Sequence, residues 1–131
     1  MWINGIETPV LIDDYVPTFD NRPAFAKTKS GGGLWVILLE KAWCKLLGGY
    51  SRAISGFPEW AFDHLTGFAS YPVRHESIKV KLDKFWIKRV ECDKKGYKCT
   101  ASSDGSGEKV NSKGIVGGHA YGLLAVYEVN V

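Results

Sequence analysis

Apolar residues recur with a period near 3.6 across residues 34–47, where Trp35, Leu38, Leu39, Ala42, Trp43 and Leu46 form one broad face and Glu40, Lys41 and Lys45 cluster opposite. This is the strongest helical pattern in the chain, and Gly48 and Gly49 end it. A shorter helix is predicted from Pro58, a favoured first-turn residue, through Leu65, closed by Thr66 and Gly67. A third runs from an Asp83 cap to about residue 95, with Ile87 and Val90 inward, Lys84, Lys88, Arg89 and Lys95 outward, and Gly96 at its end.

Strand patterns flank these helices. Residues 6–16 read as a short strand, with Val10, Leu11 and Ile12 held between Pro9 and Pro17. Residues 20–33, with Asn21, Pro23 and three consecutive glycines, read as a loop. Toward the C-terminus a strand over 97–102 precedes a polar loop over 103–114. Residues 115–131 return to strand chemistry, with Leu123, Ala125, Tyr127 and Val129 alternating on one face. Residues 68–77, which hold Pro72 and two polar clusters, form a connector between residues 1–67 and 78–131. The expected fold class is α+β, with a helical first part and a β-rich second.

Composition narrows the picture. A chain of 131 residues with 45% hydrophobic and 24% charged positions is an ordinary globular sequence with room for one core, so disorder is excluded for most of it. Its longest wholly apolar run, residues 34–39, is far shorter than the ~20 residues needed to span a bilayer, and the N-terminus carries no secretory pattern. The three cysteines, Cys44, Cys92 and Cys99, form neither an even disulfide set nor a paired metal-binding pattern, which suits a reducing compartment and a cytoplasmic location. Net charge is +3, and the excess lies between Lys79 and Lys98, where eight basic residues face three acidic ones. No nucleic-acid-binding signature accompanies them, so they are read as a solvated helix face. Neither nucleic acid nor a membrane is an expected partner.

Of three histidines, His64 in a short helix and His75 in the connector are read as structural or exposed. His119 differs, because small residues surround it in Gly117-Gly118-His119-Ala120-Tyr121-Gly122 at the mouth of an apolar strand, where backbone or substrate can approach closely. Asp13 and Asp14 are read as a loop-anchoring pair rather than a general acid and base.

Four segments together resemble calpain-type cysteine proteases: the run over 12–17 (IDDYVP), the helix over 35–46 (WVILLEKAWCKL), Leu65-Thr66-Gly67 after a short helix, and Gly118-His119-Ala120-Tyr121 before an apolar strand. They occur in the family's order and near its spacing over essentially the whole chain. The resemblance implies a partial papain-like core, with 1–67 the latter part of the first subdomain and 78–131 the opening part of the second. It implies cleavage of internal peptide bonds by a Cys-His-Asn mechanism, in which His119 matches the general base. On the family pattern the nucleophilic cysteine lies upstream of this chain and the orienting asparagine downstream, so the chain alone is expected to be inactive.

None of the three cysteines suits the missing role. Cys44 and Cys92 sit late in helices, where the dipole disfavours a thiolate, and Cys99 lies in a strand. Asn130 is eleven residues beyond His119, some 36 Å along an extended strand, too far to hold the ring. Calcium, the activator implied for the complete family core, would draw on the segment 57–60, but the family's acidic ligand aligns nearest Trp60 with Glu59 displaced by one, so no cofactor is expected in this chain. Expected partners are a protein or peptide substrate once the missing segments are supplied, and further copies of the chain through apolar surface left exposed. A non-catalytic remnant acting as a protein-binding or scaffolding module is the alternative.

Overall fold

The computed structural model describes residues 1–29, 31–75, 82–107 and 109–129. It divides into two compact units, Met1–Tyr71 and Pro72–Val131. The first opens with two hairpins of two-residue strands. β1 (Trp2–Ile3) pairs with β2 (Ile6–Glu7), and β3 (Thr18–Phe19) pairs with β4 (Arg22–Pro23), both antiparallel. Their turns, Asn4-Gly5 and Asp20-Asn21, have positive φ at both central residues. That is the turn whose twist matches a hairpin, and it draws on Asn, Asp and Gly. The strand expected over 6–16 is therefore confined to Ile6–Glu7, because the chain beyond it hydrogen-bonds to a helix instead of to a neighbouring strand.

That helix is α1 (Trp35–Leu47), which ends where Gly48 turns left-handed and donates to the last carbonyls. The face the periodicity indicates is buried in part, with Ala42 buried and Leu38, Trp43 and Leu46 half-buried, and a second flank is buried beside it. Ile37 (5% exposed) and Cys44 (2% exposed) are the most buried residues of the described chain, and they lie on the flank shared with Glu40 and Lys41. Trp35 and Leu39, on the expected inner face, are exposed. On that second flank the charged residues each take hold of a backbone segment. Lys41 Nζ donates to the Asp13 carboxylate and to the carbonyl of Tyr15, Lys45 Nζ donates to the Leu11 carbonyl at 2.6 Å, and the Glu40 carboxylate accepts the Ala26 N–H at 3.1 Å. Leu11, Asp13, Tyr15 and Ala26 are thereby tied to α1. Asp13 also accepts the Tyr15 N–H at 2.8 Å and so acts as a loop anchor.

α2 (Pro58–Thr66) starts with Pro58 and closes at Gly67. Gly67 has φ of +72°, and a Cβ there would fall 2.4 Å from the Trp2 indole, so only glycine lets β1 close onto the end of this helix. Trp43 on α1 reaches α2 through a hydrogen bond from its indole N–H to Nδ1 of His64 at 3.2 Å.

The second unit holds α3 (Leu82–Lys94) and one antiparallel pair, β5 (Cys99–Ser102) with β6 (Ala120–Leu123). Asp83 lies within the first turn of α3 and not ahead of it. Ile87, expected inward, is exposed, and Val90 is half-buried. The long terminal strand is also shorter than its alternation suggests. Among the described residues of this segment, Ala120–Leu123 pair with a strand and Val116 makes a single bridge to Val110, while Leu124, Tyr127 and Val129 are exposed. Alternation alone cannot make a strand without an edge to pair with. Asn130 lies outside the described residues.

No helix among the described residues is long and apolar enough to cross a membrane. The chain exposes 11170 Å². Two separate compact bodies of these lengths would together expose roughly 8,300 Å².

Candidate active-site histidine and its turn

His119 sits one residue ahead of β6, at the point where the β5–β6 ladder gives way to a turn. The ladder pairs Cys99 with Leu123, Thr100 with Gly122, Ala101 with Tyr121 and Ser102 with Ala120. Ser103 extends it by one step, its N–H donating to the His119 carbonyl at 3.0 Å. The Ser103 hydroxyl adds three contacts: Oγ accepts the His119 N–H at 3.1 Å, and its proton faces the Val116 carbonyl at 2.5 Å and the His119 carbonyl at 3.2 Å. His119 is thus held through both its backbone groups while its imidazole is exposed.

The glycines before it are needed for a close crossing of two backbones. Gly117 donates to the Lys109 carbonyl at 2.9 Å, and Gly118 to that of Asp104 at 3.4 Å. At Gly118, φ is +66°, and a Cβ would lie 2.9 Å from the Gly105 carbonyl oxygen. A side chain there would push the 104–105 loop away and tilt the turn that delivers His119.

Because side chains two apart on a strand share a face, Tyr121 stands beside His119. Their rings meet edge to face, with centroids 5.0 Å apart and planes at 74°. The Tyr121 hydroxyl accepts the Val116 N–H at 2.9 Å. Val116 therefore gives its N–H to Tyr121 and its carbonyl to Ser103, and the turn is gripped from both sides. Neither Ser103 nor Tyr121 stands out in the sequence as a site residue. The signal for Tyr121 is its spacing of two from His119 in a strand, while Ser103 arrives only through pairing across the sheet.

Among the cysteines, Cys99 shares the sheet face of His119 but lies opposite Leu123, four residues along the ladder, which at about 3.4 Å per residue is roughly 14 Å away. Cys44 is buried in α1, and burial together with the nearby Glu40 carboxylate pushes its thiol above the ordinary range. Cys92 lies in the last turn of α3 and is half-buried. All three thiols are free. His64 accepts the Trp43 indole, and His75 is exposed with its ring 5.8 Å from that of Phe85.

Glu59 lies in the first turn of α2 beside Trp60, and the Asp63 carboxylate is occupied by the Ser70 hydroxyl at 2.7 Å. Among the described residues no three His, Cys, Asp or Glu side chains converge as ligands. No step below passes through a metal.

The calpain family cysteine protease description matches residues 1–131. The Calpain-type cysteine protease DEK1 of Arabidopsis thaliana is 37% identical over 134 residues, covering 98% of this chain and 6% of the relative. Calpain-8 of Homo sapiens is 31% identical, covering 98% of this chain and 18% of the relative. The Calpain-1 catalytic subunit of Sus scrofa is 30% identical, covering 99% and 18%. The chain therefore spans less than a fifth of the length of each of these relatives. No solved structure matches it.

Proposed function

The chain belongs to the calpain family of cysteine proteases, and on that premise we propose that it forms part of a papain-like core that hydrolyses internal peptide bonds, with His119 as general base. The observation that carries this role is the geometry of His119, whose backbone is anchored through both N–H and C=O while the imidazole is exposed. A base must hold its position while its proton load changes, and rigid backbone with an accessible ring meets that requirement.

In the proposed reaction an imidazole nitrogen takes the proton of a cysteine thiol as sulfur attacks the peptide carbonyl. It then returns that proton to the departing amine, leaving an acyl-enzyme for water to hydrolyse. The thiol comes from polypeptide outside this chain. Cys44 is buried with its pKa raised, Cys92 lies at the negative end of a helix, and Cys99 is roughly 14 Å along the sheet from His119. Exposed Trp35 and Leu39 on α1, with exposed Leu124 and Tyr127 beyond β6, support the same reading, because apolar surface of this extent fits faces that pack against further parts of a core. The substrate is a protein or peptide, and the free thiols suit a reducing, cytoplasmic setting.

The test is peptide hydrolysis by the full-length polypeptide that carries this chain. His119→Ala is expected to lower kcat by about 100- to 10,000-fold while the circular dichroism spectrum is retained. Wild-type turnover in that variant would remove His119 from the mechanism. A full-length polypeptide that hydrolyses no peptide would favour the non-catalytic module.

A further inference from the structure

We propose that Ser103 and Tyr121 are paired positioning residues that aim the imidazole of His119; this rests on His119 being the base. Both act on the same residue of the turn, Val116. The Ser103 hydroxyl donates to the Val116 carbonyl at 2.5 Å, and the Tyr121 hydroxyl accepts the Val116 N–H at 2.9 Å. Each also reaches His119 itself, Ser103 by accepting its N–H at 3.1 Å and Tyr121 by ring contact at 5.0 Å. The two grips come from different strands, β5's extension and β6, so the turn between Val116 and His119 cannot twist about either one alone.

Each hydroxyl has a separate duty. Ser103 accepts the His119 N–H through a lone pair, and its single proton faces two carbonyls, of which Val116 at 2.5 Å is the shorter contact and His119 at 3.2 Å the longer. Tyr121 uses a lone pair of its phenol oxygen for the turn and its ring for the imidazole. Removing the phenol oxygen therefore frees the turn but leaves the ring contact, and removing the ring loses both. A base displaced by about 1 Å can lose on the order of 100-fold in rate without losing substrate affinity, which separates positioning from folding.

The experiment uses the full-length polypeptide, with active molecules counted by an irreversible thiol-directed inhibitor, and compares Ser103→Ala, Ser103→Val, Ser103→Thr, Tyr121→Leu and Tyr121→Phe with His119→Ala. Ser103→Ala, Ser103→Val and Tyr121→Leu are expected to lower kcat per active molecule by about 10- to 100-fold with KM within about twofold. Ser103→Thr, which keeps the hydroxyl, is expected to restore most of the loss, and Tyr121→Phe to fall between. Amide hydrogen exchange over residues 116–121 should speed up by at least about tenfold in Ser103→Ala and Tyr121→Leu; this readout needs no turnover and no intact fold elsewhere. If those variants keep the wild-type kcat and exchange rate while His119→Ala is inactive, the positioning role is wrong and the base assignment stands. If His119→Ala turns over normally, the base assignment falls and this inference with it. A loss in Ser103→Val that Ser103→Thr shares equally would assign the effect to packing and overturn the role given to the hydroxyl.

Discussion

The indole N–H of Trp43 donates to Nδ1 of His64 at 3.2 Å, and through this contact the C-terminal half of α1 is joined to α2. The geometry requires Nδ1 to be an acceptor, which in the neutral ring places the proton on Nε2. Both side chains are half-buried, so the pair is shielded from water without being sealed. Trp43→Phe, which keeps an apolar ring and deletes the donor, is expected to cost about 1 kcal/mol. In a double-mutant cycle with His64→Leu the two changes should be non-additive by about 0.5–1.5 kcal/mol. Urea unfolding followed by circular dichroism measures both; strict additivity would show that the two helices are held by packing alone.

Glycine positions in the His119 turn should differ sharply in tolerance. Gly118→Ala is expected to destabilise by about 1–3 kcal/mol, because it places a Cβ at positive φ and 2.9 Å from the Gly105 carbonyl oxygen. Gly122→Ala, a position in β6 with nothing within 4 Å of the added carbon, should stay within about 0.5 kcal/mol of wild type. Equal losses at the two sites, measured by thermal unfolding, would contradict the close crossing described here.

Alkylation should discriminate the three thiols. Burial first, and the Glu40 carboxylate second, hold the Cys44 thiol above its ordinary range, so Cys44 should be the last to react with iodoacetamide as pH is raised from 7 to 10. The linkage sign follows. The folded state favours the protonated thiol, so this contribution to stability is complete below the ordinary thiol pKa and is lost as pH rises through the raised one. Mass spectrometry of the labelled peptides provides the order, and rapid labelling of Cys44 in the folded protein would refute its burial.

Acid titration should single out Asp13. The hydrogen bond from Lys41 is the largest cause, and the Tyr15 N–H the next, of a carboxyl held below its usual range. A carboxyl with a depressed folded pKa contributes stability above its ordinary pKa and loses it as pH falls through the lowered value. Asp13 is exposed even though Lys41 is half-buried, so that contribution is small and screened by salt. Carbon-13 NMR of the side chain should show Asp13 titrating low, and Lys41→Met should return it toward the ordinary value. An unchanged titration in Lys41→Met would mean that the lysine does not hold the loop.

Three helices, the glycines that close them and the family resemblance were legible in the residues alone. Helices are legible because their hydrogen bonds join residues four apart, so a 3.6 period, a first-turn Pro58 and glycines at 48, 67 and 96 carry the needed information locally. The first hairpin has an equally local cause, Asn4-Gly5 being the residue pair its turn demands, but the strand expected over 6–16 does not include it. Tertiary structure decided the rest. It buried Ile37 and Cys44 as well as Ala42 while leaving Trp35 and Leu39 exposed, and it gave Glu40, Lys41 and Lys45 backbone partners in residues 11–26, because those contacts join positions far apart in the chain. It also limited the terminal strand to Ala120–Leu123 and brought Ser103 against His119, because a ladder's length and register depend on which distant segment supplies the matching edge.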